Sequence, residues 1–283
     1  RKCGAPIAGG GTGCTSQVLM RVIVTRPGPQ AGKWVKALRA AGLDALALPL
    51  IEIAGPPDPQ AVLAIWQRID SFDALMFVSA NAVEQFFALR PADVVTATLQ
   101  PRFFVTGPGS VAALLHAGVA RSRIDAPDEA AAQFDSEALW AVVQTQVQRG
   151  WRVLIVRGNT DAEAADEAQA GKGVGRDWFA ARLGEQGAVV EFLVAYARRA
   201  PVLSANALAL VQTSAVDGSV WLFSSSEAVT NLCAMAAGQS WQRARAVATH
   251  PRIALAARAA GFAQVCEARP AMAELVASIE SLA

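Results

Sequence analysis

Short apolar runs alternate with amphipathic stretches along most of the chain. The β-branched run Arg21–Thr25 predicts a strand. It is followed by Arg26-Pro27-Gly28-Pro29 and then by Trp34, Leu38 and Ala41, whose spacing of three and four predicts a helix that stops at Gly42. The apolar segment Ala45–Ile53 reads as the next strand. The same plan recurs from residue 152. Arg152–Val156 is a strand, Arg157-Gly158 a turn, Trp178 to Leu183 a helix, Gly187 its stop and Val189–Tyr196 a strand. Asp73–Phe87 parallels Ser219–Cys233, each a strand, a Ser-rich turn and a helix. Phe103–Val119 parallels Ala246–Val265, each a strand, a Pro-containing turn, an Ala-rich helix and Gly. Residues 21–119 and 152–265 are therefore two copies of one αβ plan.

Strands alternating with helices of this length predict an α/β fold of two similar domains, with parallel sheets flanked by helices. Ligands of such sheets bind beyond the strand C-terminal ends, where all these Ser-, Arg-, Gly- and Pro-bearing turns fall. Two copies facing each other would form a cleft between the domains. Gly55-Pro56-Pro57-Asp58-Pro59 stops the second strand, and Ala200-Pro201 follows the strand ending at Tyr196. The polar, acidic and Ala-rich stretch 159–172 reads as a surface insertion. Residues 1–19 show no periodicity and no apolar core of a signal peptide, and are read as a disordered extension outside the fold.

Length and composition narrow the class. At 283 residues the chain suits two domains, and 53% hydrophobic against 17% charged residues is ample for sizeable cores. With 25 basic and 24 acidic residues the net charge is +1, which excludes a globally basic nucleic-acid binder but allows a locally basic cleft. No apolar run approaches the 18 residues of a membrane span. Cys3, Cys14, Cys233 and Cys266 are scattered, and His116 and His250 are the only histidines, so a His/Cys metal site is not expected. The sparse cysteines fit a reducing cytoplasm.

The candidate chemistry lies in the turns. Gly107-Pro108-Gly109-Ser110-Val111-Ala112 fits G-x-G-x-x-A, with Asp125 where a ribose-binding acid would stand. The equivalent turn, Thr249-His250-Pro251-Arg252, has no glycine, so an anion site of backbone N–H groups and Ser110 is favoured over a dinucleotide site. Ser79-Ala80-Asn81 and Ser224-Ser225-Ser226 precede helices. They read as N-caps, and a helix start is also a place for an anion. Arg26, Arg157, Arg176 and Arg252 stand at or just after strand ends, where together they would attract a polyanion. Tyr196, the only tyrosine, ends a strand and is followed by Arg198-Arg199. A phenol is protonated at neutral pH and can act as a general acid.

An ordered set of segments carries a resemblance: VTRP (24–27), PLIEI (49–53), DALMFVSANAV (73–83), VTGPGSVAAL (105–114), VLIVRG (153–158), GRDWF (175–179), the Tyr196 strand, LFSSSEAVTNL (222–232) and THPRIALAARAAGF (249–262). Together they resemble the uroporphyrinogen-III synthase family over almost all of 21–265. The resemblance implies a discontinuous first domain of 20–48 with 200–283, a second domain of 54–190, and two linker strands, 46–53 and 189–199. It implies a lyase that closes hydroxymethylbilane to uroporphyrinogen III, with inversion of ring D and loss of water, in haem biosynthesis. It implies no metal or organic cofactor, a monomer, transient contact with the preceding pathway enzyme, and neither nucleic acid nor membrane as partner.

Tyr196 matches the family's tyrosine and is the candidate catalytic residue. The candidate substrate-binding residues are Arg26, Ser79, Asn81, Gly107, Ser110, Arg157, Gly158, Arg176, Ser224, Ser225, Ser226, Thr249 and Arg252. In the turn His250-Pro251-Arg252-Ile253 the family often has Gly-Pro-Thr-Thr, and Ile253 supplies no hydroxyl there. The insertion 159–172 exceeds the family's usual gap, which leaves Arg176 less securely placed. Two rival readings are a non-catalytic two-domain binder of a polyanionic small molecule and a nucleotide-dependent oxidoreductase using Gly107–Ala112.

Overall fold

The computed structural model describes residues 20–128, 131, 133–160 and 174–282, without the side chains of residues 29, 160 and 174–176. The described residues divide into two compact units, 20–50 with 202–282, and 51–201, and residues 1–19, expected to be a disordered extension, lie outside the described residues.

The first unit is built from β1 (Arg21–Val24), α1 (Gly28–Ala40) and β2 (Asp44–Ala47), joined by a later block of the chain. The second unit comes next in sequence. It holds β3 (Glu52–Ala54), α2 (Pro59–Trp66), β4 (Ala74–Phe77), α3 (Ala80–Ala88), β5 (Arg102–Val105), α4 (Pro108–His116), β6 (Ile124–Asp125), α5 (Ser136–Val143), β7 (Arg152–Thr160), α6 (Val174–Glu185) and β8 (Val189–Arg199). The later block of the first unit is α7 (Ala205–Ser214), β9 (Val220–Phe223), α8 (Ser226–Met235), β10 (Arg245–Ala248), α9 (Pro251–Ala259), β11 (Gln264–Glu267) and α10 (Met272–Glu280).

The sheet of the first unit has the order β11-β10-β9-β1-β2, and that of the second β6-β5-β4-β7-β8-β3. Strand for strand these are one order, with β3 added at an edge. Within each order the chain runs outward in both directions from a central pair, β1/β9 in one unit and β7/β4 in the other. A crevice opens at such a reversal, beyond the strand C-terminal ends. All pairings in the first sheet are parallel. In the second, β3 runs antiparallel to the end of β8, with Glu52 opposite Arg199 and Ala54 opposite Ala197. The sheets are parallel and flanked by helices as expected, with this one antiparallel pairing at an edge.

The central strands are apolar on both faces because helices cover both. In β4, Leu75 and Phe77 point to one side with Phe103, Val105, Leu154 and Val156, and meet Trp66, Val83 and Phe86. Ala74 and Met76 point to the other with Phe104, Val153 and Ile155, and meet Leu139, Phe179 and Leu183. In the first unit, Val22, Val24, Val220, Leu222 and Val247 pack with Leu38 and Leu275. Trp221 and Phe223 stack edge-on against Trp241 and Phe262 at 5.4–6.3 Å.

Three strand predictions are corrected. Ala45–Ile53 is not one strand: β2 ends at Ala47 and β3 begins at Glu52. Pro49 offers no N–H to a ladder. The segment follows β1 only as far as Leu50, whose N–H donates to the Thr25 carbonyl at 3.2 Å, and then enters the other sheet. Arg157-Gly158 is not a turn but lies inside the nine-residue β7. Tyr196 does not end its strand either, since β8 runs on to Arg199 and supplies partners for β7 as far as Thr160. Consequently Asn159 and Thr160, expected in the surface insertion, are strand residues, while 161–172 lies outside the described residues. The predicted helix stops hold: Gly42 and Gly187 have φ of 88° and 81°, the left-handed region that favours glycine.

Candidate functional site

The Ser79-Ala80-Asn81 turn starts α3 at the C-terminal end of β4, on the central strand pair of the second unit. Ser79 caps the helix: its Oγ accepts the Ala82 N–H at 3.2 Å. The same Oγ lies 3.1 Å from the Tyr196 hydroxyl. Tyr196 is only 4% exposed and sits in the same core cluster as Phe77, Val156 and Leu193. One residue thus serves both as the cap expected from the sequence and as partner to the one phenol of the chain. Asn81 is the second residue of α3 and is half-buried.

A cavity of about 340 Å³ opens at this point. It is lined by Ser79, Thr106, Asp135, Glu137, Tyr196 and Arg198, among others. Thr106 directly follows β5, and Asp135 caps α5, with Oδ1 accepting the Ala138 N–H at 2.9 Å. With Ser136, the lining therefore combines four hydroxyls and a guanidinium with two carboxylates. The first group can donate to ligand oxyanions, and the second can only accept, which suits N–H donors.

The remaining candidates divide by location. Arg157 is buried, with its Cζ 5.5 Å from the Phe192 ring centroid. Gly158 faces Tyr196 rather than open space: a Cβ there would lie 2.3 Å from the ring Cζ. Gly107 caps α4 without a side chain, and Phe134, which is 42% exposed, lies against it. Ser110 is buried in the first turn of α4. Asp125, the would-be ribose acid, receives both Arg102 Nε and Nη2 at 2.6 Å, and its carboxylate is occupied. That pairing argues against the dinucleotide reading. Arg176 lies in α6 with its side chain outside the described residues.

In the first unit, Arg26 follows β1, on the central pair of that sheet. Its guanidinium donates to Gln30 Oε1 at 2.9 and 3.2 Å and lies 4.4 Å over the Trp34 ring. Burial lowers its pKa from the usual arginine value. Ser225 caps α8, its Oγ accepting the Glu227 N–H at 3.2 Å, with Ser224 and Ser226 half-buried beside it. Thr249 leads to His250, whose Nδ1 accepts the Arg252 N–H at 3.1 Å, and Arg252 itself is exposed.

Sequence reasoning missed Thr106, Asp135, Glu137 and Arg198 as residues of the cavity, and His250 as a helix cap. Asp135-Ser136-Glu137 before an apolar helical run is a cap signal that would have found the first of the carboxylates. His250 capping α9 has no such signal, because histidine is not an ordinary cap residue. Among the described residues no group of three or more His, Cys, Asp and Glu could hold a metal ion, and no helix is long and apolar enough to cross a membrane.

Two equally ordered, doubly wound sheets, with hydroxyls and guanidinium groups at their strand ends, define a two-unit α/β protein. The family described as uroporphyrinogen-III synthase HemD matches residues 32–277. The uroporphyrinogen-III synthase of Salmonella typhimurium is 29% identical over 154 residues, 54% of this chain; the match spans 61% of that relative's length. A crystal structure of a mutant uroporphyrinogen III synthase from the extremely thermophilic bacterium Thermus thermophilus superposes with a TM-score of 0.52 at 16% identity, over 93% of this chain and 98% of that one. That of the uroporphyrinogen-III synthetase from Helicobacter pylori 26695 gives 0.56 at 14% identity, over 94% and 100%. The two structures share the fold of this chain. The match to the family covers most of the sequence, and the chain belongs to the uroporphyrinogen-III synthase family.

Proposed function

We propose that this protein is a lyase that converts hydroxymethylbilane to uroporphyrinogen III, closing the linear tetrapyrrole with inversion of ring D and loss of water. The observation that carries the reading is the buried Tyr196 hydroxyl, hydrogen-bonded to Ser79 at the mouth of a cavity on the central strand pair. Family membership favours catalysis over the non-catalytic binder. The substrate is a flexible polycarboxylate. Arg198 and Thr106, which line that cavity in the second unit, are carboxylate contacts. Asp135 and Glu137 accept its pyrrole N–H groups.

Ser79 Oγ accepts the Ala82 amide, and either hydroxyl can donate in the Ser79–Tyr196 pair; with Ser79 donating to Tyr196 Oη, the phenol proton is left to be given away. As the bond between the exocyclic carbon and the hydroxyl breaks, the electron pair leaves with oxygen. Tyr196 transfers its proton to that oxygen and water departs. The positive charge passes to the pyrrole nitrogen, and the phenolate is held by the Ser79 O–H. The carbon left behind bonds to the substituted α-carbon of ring D and gives a spiro centre. The bond from that centre to the bridge of ring C then breaks, its electron pair restoring ring D while the positive charge moves to the bridge carbon and the nitrogen of ring C. The bridge carbon bonds to the unsubstituted α-carbon of ring D, and the proton which that carbon loses on rearomatisation returns to Tyr196. Holding the two ring ends together sets the product, since uncatalysed closure gives the non-inverted isomer. General acid assistance to a hydroxyl that leaves readily contributes about 100-fold or less.

The same reading makes the protein a cytoplasmic monomer that meets the preceding pathway enzyme transiently. The test is a coupled assay in which hydroxymethylbilane is generated in situ and the oxidised products are separated. Isomer III in excess supports the proposal, and isomer I alone at the no-enzyme rate refutes it.

A further inference from the structure

Ser79 and Tyr196 stand two strands apart, with β7 between them. Neighbouring strands lie about 4.8 Å apart, so the phenol must cross the row above β7 to reach Ser79. In that row Phe77 pairs with Val156, and Val156 with Leu193. One step on come Ser79, Gly158 and Tyr196. A Cβ on residue 158 would lie 2.3, 2.5 and 2.7 Å from Tyr196 Cζ, Cε2 and Cε1. The ring occupies the space that any other side chain would fill.

The backbone makes no separate demand for glycine at this place. Gly158 is absent from the glycines with positive φ, so alanine fits its dihedral angles and only the space is forbidden. A second irregularity sits beside it. Arg157 pairs with Val194, but Gly158 pairs with Tyr196, so Ala195 is an extra residue in β8. Side chains alternate along a strand, and in an unbroken register Tyr196 would point away from the face of Leu193. The bulge brings Tyr196 onto that face, where it packs with Leu193, Ala195, Val156 and Phe77.

We infer that Gly158 and the adjoining bulge form a positioning element that delivers the Tyr196 phenol to Ser79. The bulge selects the face of the sheet, and the glycine opens the path across it. Gly158 is then a positioning residue and not the substrate-binding residue expected from the sequence. The structural part stands on geometry alone, and its consequence for turnover rests on the proposed function.

The experiment compares Gly158→Ala in two backgrounds, wild type and Tyr196→Ala. Tyr196 is the only tyrosine, so incorporated 3-fluorotyrosine gives one fluorine resonance that reports this ring. Gly158→Ala is expected to move that resonance, to lower the urea midpoint, and to reduce kcat for isomer III by about tenfold or more with KM little changed. In Tyr196→Ala the same substitution is expected to leave the midpoint unchanged, because the ring it strikes is gone. An equal loss of midpoint in both backgrounds, or an unmoved resonance, overturns the inference. If Gly158→Ala does not fold in the wild-type background, recovery of folding in the double variant supports the inference and failure to recover overturns it. The resonance and the midpoints decide the matter even if the protein makes no isomer III.

Discussion

Replacing Ser79 by alanine removes one oxygen that makes two bonds. The Ala82 N–H loses its cap, which typically costs about 1 kcal/mol. The Tyr196 hydroxyl loses its partner, a further net cost of about 1 kcal/mol, near the low end for a buried group because water from the adjoining cavity can replace it. Ser79→Ala is therefore expected to destabilise the second unit by about 2 kcal/mol. Tyr196→Phe removes only the shared bond and costs about 1 kcal/mol. The double variant loses the cap and the bond once each, so it is expected to be no less stable than Ser79→Ala alone, a coupling of about 1 kcal/mol. Urea unfolding followed by hydrogen exchange, read on peptides from α3 and β8, isolates the second unit. Additive costs, with the double variant about 3 kcal/mol down, would show that the two hydroxyls do not bond.

Three further expectations concern charge. Asp135→Asn keeps a good N-cap for α5 and removes one carboxylate from the cavity, so it should leave the urea midpoint within about 0.5 kcal/mol of wild type while raising KM for hydroxymethylbilane; an unchanged KM removes Asp135 from substrate recognition. Glu191 accepts from Arg68 and Arg152, each at 2.7 Å, and hydrogen bonds from these two arginines hold its pKa below the ordinary glutamate value. A carboxylate lowered on folding contributes stability above its unfolded pKa and loses it as pH falls through the folded one. Glu191→Gln should therefore flatten the acid side of the stability–pH curve by about 0.5 kcal/mol, small because all three groups are about a third exposed or more, and a stability–pH curve that keeps its acid slope contradicts this. Asp125→Ala leaves the forked Arg102 guanidinium unpaired and should cost about 2 kcal/mol in chemical denaturation, whereas a ribose-binding role would predict a stable protein that fails to bind nucleotide.

The repeated plan was legible because the central strands are buried on both faces and so appear as unbroken apolar runs: RVIV, ALMF, RVLIV and VWLF. Ser79, Ser225 and the glycine stops were legible because caps and left-handed residues carry local chemistry. Short edge elements were not. β6 has two residues, and β3 is held by backbone pairing with the end of β8 rather than by any pattern of its own. The crossing of the chain between sheets at Pro49–Ile51 is a tertiary choice that an apolar run does not display. The Tyr196–Ser79 contact depends on a bulge, and a bulge changes the face of a side chain without changing the composition around it. Tyr196 and Ser79 were both singled out from the sequence, but their pairing across Gly158 belongs to the register alone.

The central claim is that closure of the bilane takes place at the Tyr196 hydroxyl. Wild type and Tyr196→Phe are compared under single turnover on hydroxymethylbilane, with the isomers separated after oxidation. Wild type is expected to give mostly isomer III, and Tyr196→Phe to form it up to about 100-fold more slowly, with isomer I rising as uncatalysed closure competes. Equal rates and equal isomer ratios for the two proteins would contradict the account.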